Sequence, residues 1–333
     1  MSDARTSDTQ PVSLALQGGG AHGAFTWGVL DRLLEHGELA FSRVSATSSG
    51  ALNALAMAQG WMNGGREGAR TCLDVLWQRI AGHPMSAPWI FGSRMPAAQP
   101  GAQHLHRYFT TRQINPSAIN PVAQIAEVMF DFEQLRAESP FPIHLAATRV
   151  RDGGLALFGP AQMGVDALLA STCLPQIFAP VTIDGETYWD GGWAGNPALE
   201  PLLGPDEAST ILGILVQPLN RGDTPRTPEK IATRIGELGF SNAFLRELRS
   251  LVMTHDSANS KNASSEPTCN QRVLIIEPGE SLHDFHDKVP FKNAIGFLST
   301  LRDHGRDCAN RWIDDPQRHV INRDSALFQS RQA

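Results

Sequence analysis

Cysteine is scarce in this chain. Its four thiols, Cys72, Cys173, Cys269 and Cys308, are far apart and form no Cys-x-x-Cys pair, so neither a zinc site nor a disulfide framework is indicated. Long apolar runs are missing as well. No stretch approaches the ~18–20 apolar residues of a spanning helix. Residues 1–10 are polar and carry Asp3 and Arg5, and the apolar run at 12–16 is too short for a signal-peptide core. A soluble, cytoplasmic protein is therefore expected, with export that reads no N-terminal signal left open. An excess of positive charge is lacking too. The net charge of -6 argues against a general nucleic-acid binder, which needs a basic surface to displace phosphate counterions. Internal repeats and low-complexity tracts are absent, and the 333 residues suffice for one large or two ordinary domains.

What is present is organised around Val44-Ser45-Ala46-Thr47-Ser48-Ser49-Gly50-Ala51-Leu52-Asn53-Ala54, an apolar strand running through small residues into a helix. A serine on such a turn, with tiny neighbours at Ala46 and Gly50, fits the nucleophile elbow Gly-x-Ser-x-Gly, with alanine at the first glycine. The following helix start offers unpaired amides to developing negative charge. A plainer reading of Thr47, Ser48 and Ser49 is that they cap that helix.

Upstream, residues 1–11 read as a loose tail and 12–17 as a strand feeding Gly18-Gly19-Gly20-Ala21-His22-Gly23. A helix is predicted over 24–35, with Gly37 as its stop. Gly18, Gly20 and Gly23 satisfy the dinucleotide fingerprint Gly-x-Gly-x-x-Gly, which also wants an acid at the end of the second strand. The strand predicted at 41–46 leads into Thr47 and Ser48 instead. The competing reading is an oxyanion hole formed by the loop amides.

Helices are predicted over 50–60 and 67–80. The stretch 81–100 is rich in proline and glycine and contains Trp89, Ile90 and Phe91; it reads either as a flap meeting an acyl chain or a bilayer, or as a loop anchored by core aromatics. Residues 118–136 are helical in part, 143–149 and 155–158 are strands, and 165–173 is a helix. Asp184-Gly185 marks a tight hairpin turn between strands at 181–183 and 186–189. Asp190-Gly191-Gly192 leads into no further strand, so Asp190 either projects from a strand end into the cleft of Ser48 or makes another Asx turn. A strand at 211–216 follows, and the compact α/β unit is expected to close near 217. Beyond it come a helical segment at 228–254, a loop at 255–270, a strand at 273–277 and a helix at 291–312. His255, His283, His286, His304 and His319 follow Asp190 in the order a Ser-Asp-His triad requires, but no motif places any of them. The His283-Asp284-Phe285-His286-Asp287 segment has no established zinc spacing.

Taken together, Gln17–Ala24, Ala46–Ala54, Ala170-Ser171 with Leu174-Pro175 and Phe178-Ala179-Pro180, then Asp190-Gly191-Gly192 and Asn196-Pro197 strongly resemble the patatin-like phospholipase family. The resemblance covers roughly residues 12–217, with a mostly helical extension over 218–333 expected to pack on that unit. It implies a three-layer α/β fold with a central, mostly parallel sheet between helices. It also implies a fatty-acyl ester hydrolase with Ser48 as nucleophile, Asp190 as general base and the amides of Gly18, Gly19 and Gly20 as oxyanion hole. Gly23, Gly50, Gly191 and Gly192 complete the motifs. No cofactor or metal is implied; the expected partners are a lipid or other acyl ester and, transiently, a membrane surface. Two residues depart from the family pattern. Ala46 replaces a glycine, which is tolerable at negative φ and costly at positive φ. His22 replaces Arg or Lys, so positive charge near the oxyanion would depend on pH. The rivals are a triad esterase, a catalytically weak lipid-binding or regulatory relative, and a dinucleotide-binding oxidoreductase.

Overall fold

The computed structural model describes residues 11–83, 119–204, 210–222, 224–258, 272–279, 282, 293–321 and 325. The predicted flap residues Trp89, Ile90 and Phe91, and the His283–Asp287 segment, lie outside the described residues. In chain order the elements are β1 (Pro11–Leu16), α1 (Gly23–His36), β2 (Ala40–Thr47), α2 (Ser49–Gly82), α3 (Pro121–Met129), α4 (Phe132–Glu138), β3 (Ile143–Arg149), β4 (Leu155–Phe158), α5 (Val165–Ser171), β5 (Val181–Ile183), β6 (Glu186–Asp190), β7 (Thr210–Ile214), α6 (Pro228–Ala258), β8 (Arg272–Ile276), α7 (Ala294–Asp314) and β9 (Val320–Ile321).

Among the described residues, nine strands form one sheet in the order β5-β6-β3-β2-β1-β7-β8-β9, with β4 also paired to β3. The core strands β3, β2, β1, β7 and β8 are parallel to one another, and β4, β5, β6 and β9 join by antiparallel pairing. This is the expected mostly parallel sheet between helical layers. Its central strand, β1, is buried from Val12 to Leu16, as a strand covered on both faces must be, and is apolar apart from Ser13, whose hydroxyl bonds that of Ser42 at 2.9 Å. Pairing runs across residue 217. β7 bonds to β8 in register from Thr210↔Arg272 to Ile214↔Ile276, so the later chain shields an apolar strand that would otherwise be an open edge.

Local signals worked where the backbone had one steric option. Gly37 ends α1 in the left-handed conformation at φ 84°, which a Cβ disfavours. Asp184 and Gly185 both have positive φ, as the tight hairpin turn demands. The helices predicted over 50–60 and 67–80 are two arms of α2, broken at Gly64 and Gly65 where φ and ψ leave the helical region. α6 runs to Ala258 and takes in the first residues of the loop expected at 255–270.

One layer is α1 against α2 and α7. Trp27 stacks on Trp77 with 6.4 Å between ring centroids, and the Arg302 guanidinium lies 5.0 Å above Trp27. At the rim, Asp31 and Glu35 of α1 bind Arg70 of α2 and Arg306 of α7; Arg70 Nε is 2.8 Å from Asp31, and Arg306 also meets Asp31. Such partly solvent-screened rim pairs contribute ~1 kcal/mol or less each, so most of the stability lies in the burial of Phe25, Leu30, Leu34, Leu298 and Leu301 beneath them.

The α1–α7 crossing depends on two glycines. A Cβ on Gly28 would run into the Arg302 carbonyl, and one on Gly305 into the Phe25 carbonyl. Alanine is favoured over glycine in a helix by about 1 kcal/mol, whereas overpacking costs ~1–3 kcal/mol. Gly28→Ala is therefore expected to lower the melting temperature. Gly236→Ala in α6, where an added Cβ meets nothing within 4 Å, should leave it unchanged or raise it. Equal losses from both would discount the crossing as a packing constraint.

Candidate active site

β1 and β2 are adjacent and parallel, with Leu16 opposite Ala46, so the segments that follow them leave the same edge of the sheet side by side. β1 delivers the glycine loop and β2 delivers Ser48. The strand order turns outward in both directions from β1, which makes this edge the crevice where open α/β sheets bind ligands. β3 continues the alignment with Thr47↔Ala146, and β6 returns antiparallel with Ala147↔Asp190. The register thus carries Asp190 to the same edge as Ser48, with only alanines between them on β3.

Ser48 has φ 55° and ψ -121°. A non-glycine residue there is strained, and such strain persists only where its surroundings enforce it. Its amide donates to Ser171 Oγ at 3.0 Å, and the preceding Thr47 hydroxyl donates to the Gly195 carbonyl at 2.7 Å. Gly18 lies so close that a Cβ would sit 2.6 Å from Ser48 Cβ and from the Thr47 carbonyl oxygen. Gly50 packs its Cα against the Leu16 carbonyl in the same way. Ala46, by contrast, is a strand residue outside the positive-φ region, so its methyl is sterically allowed. The capping reading of Ser48 does not hold. Its side chain makes no cap bond to α2.

Instead the Ser48 hydroxyl donates to Asp190 Oδ2 at 2.6 Å. The other carboxylate oxygen accepts from the Gly192 amide at 2.8 Å, closing an Asx-type turn, so both readings of Asp190 apply at once. Asp190 is fully buried and Ser48 is 4% exposed. Desolvation pushes the Asp190 carboxyl up from 3.8 to about 7, and its bonds from Ser48 and Gly192 pull in the other direction without prevailing. The chain after Asp190 folds back over β3: a Cβ on Gly191 would strike the Ala146 carbonyl, and one on Gly192 the Phe240 ring. Both glycines are therefore steric requirements. Cys173, whose carbonyl accepts the Asp190 amide at 2.8 Å, has its thiol pushed up to about 12 by burial and by the nearby Asp190 charge. It stays a neutral packing group.

The three glycine amides expected to face one anion are divided. Gly18 N–H donates to Asn196 Oδ1 at 2.7 Å and its carbonyl accepts from Asn196 Nδ2 at 3.3 Å, a two-point clamp in a buried place. Gly19 N–H donates to Ser49 Oγ at 3.0 Å. Gly20, at φ 59°, has no acceptor for its amide among the described residues. His22 is buried in the turn, with its amide on the Gly19 carbonyl at 3.2 Å, and Gly23 packs 2.6 Å, measured from an added Cβ, against Ser49. Gln17 braces the loop from below by accepting the Val216 and Gln217 amides. Asn53 bridges the Gly23 carbonyl and Trp77 Nε1 at 2.9 Å each. Sequence reasoning gave Ser49, Asn53 and Gln17 no role of this kind. Among the described residues no group of three His, Cys, Asp or Glu side chains is placed to hold a metal ion, and no helix is long and apolar enough to cross a membrane.

The family model described as patatin-like phospholipase matches residues 14–203, the span that supplies every side chain of this site. No curated protein matches the chain in sequence. Among solved structures it is similar to VipD from Legionella pneumophila at 13% identity over 93% of this chain and 68% of that one, with a TM-score of 0.43. It is also similar to ExoU of the ExoU-SpcU complex from the type III secretion system of Pseudomonas aeruginosa, at 17% identity, 94% and 53% coverage and a TM-score of 0.32. The chain thus spans about half the length of ExoU.

Burial of Asp190 makes stability depend on pH. Its folded-state pKa lies above the ordinary value, so the proton is bound more tightly in the fold. That stabilisation is complete below about pH 3.8 and is lost as pH rises to about 7. Asp190→Asn keeps a neutral group of the same shape. The melting temperature of the variant relative to wild type should climb between about pH 4 and 7 and level off above. A difference that is flat with pH would mean the carboxylate is not desolvated in solution.

Proposed function

The chain belongs to the patatin-like phospholipase family, and from that premise we propose that it is a serine acyl hydrolase acting on fatty acyl esters through Ser48 and Asp190. The observation that carries the reading is the direct 2.6 Å bond from Ser48 Oγ to Asp190 Oδ2. At that separation no imidazole fits between the two oxygens, which favours a dyad over a Ser-Asp-His triad. A loop that ends its neighbouring strand in Thr47 and Ser48 likewise offers no acid to a dinucleotide ribose, so the oxidoreductase reading has no support.

In the proposed first step Ser48 Oγ attacks the ester carbonyl carbon while Asp190 Oδ2 takes the hydroxyl proton. The carbonyl electrons move onto its oxygen, towards the Gly19 and Gly20 amides and the N-terminus of α2. These dipoles need no protonation to act. The Gly19 amide becomes available when Ser49 Oγ, a rotatable acceptor, turns away, and Gly18, held by Asn196, keeps the loop in place. Collapse of the intermediate expels the alcohol, which receives its proton from Asp190. Water then attacks the acyl-enzyme with Asp190 again as base, releasing the acid and restoring the pair. An aspartate of ordinary pKa is a weak base at neutrality; the dry setting of Asp190 raises its basicity to the operating pH. Residues 12–217 form the proposed catalytic unit, with 218–333 as the extension that completes its sheet and covers it.

Hydrolysis of a medium-chain p-nitrophenyl ester and of a phospholipid, with fluorophosphonate labelling, tests this. Ser48→Ala is expected to lose labelling and, with Asp190→Asn, roughly a thousandfold or more of kcat. Wild-type kcat/KM should fall as pH drops through about 7, where Asp190 takes up its proton. An unlabelled, inert wild type would instead favour a lipid-binding relative without turnover.

A further inference from the structure

Resting on that reading of the site, we propose that the N-terminal half of α6 is the face by which the protein docks on an anionic lipid bilayer. Three of the large exposed apolar side chains, Ile231, Ile235 and Leu238, at 41%, 65% and 40% exposure, stand at i, i+4 and i+7 of this one helix. At 100° per residue they share one face, which continues through Asn242 to Arg246 and Arg249, all exposed. The core-facing side is different. Phe244, Leu248, Leu251 and Val252 bury there against Ala15, Ile211 and Ile275. The outer stripe is therefore surplus to folding, and a contiguous exposed apolar stripe of this kind marks an interaction surface.

Charge selects the occupant. Within residues 224–253 the exposed charged residues described are Arg226, Lys230, Arg246 and Arg249, all positive in a chain of net charge -6. Of the acids whose side chains are described there, Glu237 is 4% exposed and paired with Arg221 and Arg234, and Glu247 accepts the Leu199 and Glu200 amides. An apolar stripe bordered by these exposed cations, lying along one helix, matches the interface of a bilayer that carries anionic headgroups. The opposite face of α6 packs on the site. Phe240 of the same helix lies on Gly192, whose amide holds the Asp190 carboxylate, and its ring centroid is 4.7 Å from that of Trp193. A bilayer docked on the stripe would therefore lie across the width of α6 from the Asp190 turn.

Co-sedimentation with vesicles of phosphatidylcholine, with and without phosphatidylglycerol, is the test, with hydrolysis of p-nitrophenyl acetate as the readout that needs no surface. Wild type should bind the anionic vesicles more tightly and lose binding with salt. Ile235→Asp with Leu238→Asp, and separately Arg246→Glu with Arg249→Glu, should each weaken binding roughly tenfold or more. Ile235→Trp should strengthen it. Turnover of the acetate should be the same in all. Vesicle binding indifferent to every one of these changes would overturn the docking face and leave the hydrolase reading intact. A wild-type dimer in sedimentation velocity that Ile235→Asp dissociates, without vesicle binding, would overturn it in favour of a second copy of the chain. Stripe-dependent vesicle binding by a wild type inert towards every ester would uphold the docking face and sink the hydrolase reading.

Discussion

A fully buried carboxylate, bonded among the described residues to a hydroxyl and a backbone amide, is the constraint on which the rest of this molecule turns. Burying a charge in that way is unfavourable, and Asp190 remains there because the strand on one side and the Cys173 backbone fix its position. β6 holds it through register with β3, the Thr148 hydroxyl holds its carbonyl at 2.7 Å, and Cys173 holds its amide. Ser48 is held as firmly, through Ser171, Thr47 and the start of α2. The two groups meet because their frames are rigid. Their mutual bond is too weak to assemble the frames, since a net hydrogen bond contributes only about 1 kcal/mol.

Close approach of backbones is the second consequence. To bring two strand ends and one loop into hydrogen-bond range, the chain crosses itself at Gly18, Gly50 and Gly191, and at each an added Cβ would overlap a backbone carbonyl. The polar side chains nearby serve the same end. Asn196 pairs with both the amide and carbonyl of Gly18, Gln17 takes the amides that follow β7, and Asn53 ties the turn at Gly23 to Trp77. Each replaces a backbone partner that the loop could not find in a sheet or helix.

These features divide cleanly by how far apart in sequence their causes lie. Gly37, the Asp184-Gly185 turn, the break in α2 and the strand-to-helix turn at Ser48 were legible because a few adjacent residues determine them. So was the pairing of Ser48 with Asp190, through motifs in a fixed order rather than through any local signal. The Asn196 clamp on Gly18 and the Ser49 hydroxyl on Gly19 were not. An amide or hydroxyl reaching across 178 or 30 positions leaves no periodicity to read. The closure of the sheet by β8 and β9 was illegible for a similar reason: a short apolar run announces a strand but not its neighbour. The four-residue charge cluster of Asp31, Glu35, Arg70 and Arg306 likewise exists only once three helices are packed.

The way the site distributes charge follows from the same physics. A permanent cation within a few ångströms of Asp190 would hold its carboxyl low by about 1–3 units and leave it a poor base near neutrality. The groups that act on it among the described residues are apolar burial, one hydroxyl and one amide. In the proposed mechanism the negative charge that develops on a substrate oxygen needs stabilisation of another kind, which the glycine loop and the start of α2 would supply as fixed dipoles. A dipole aimed at the substrate oxygen favours the anion where it forms while acting far less on a carboxylate to one side, because its field falls faster with distance than that of a charge. His22, in place of an always-charged side chain, fits that division. In the proposed mechanism, a base that must stay basic and an anion that must be stabilised are reconciled in one crevice by stabilising charge that is partial, directional and fixed in the backbone.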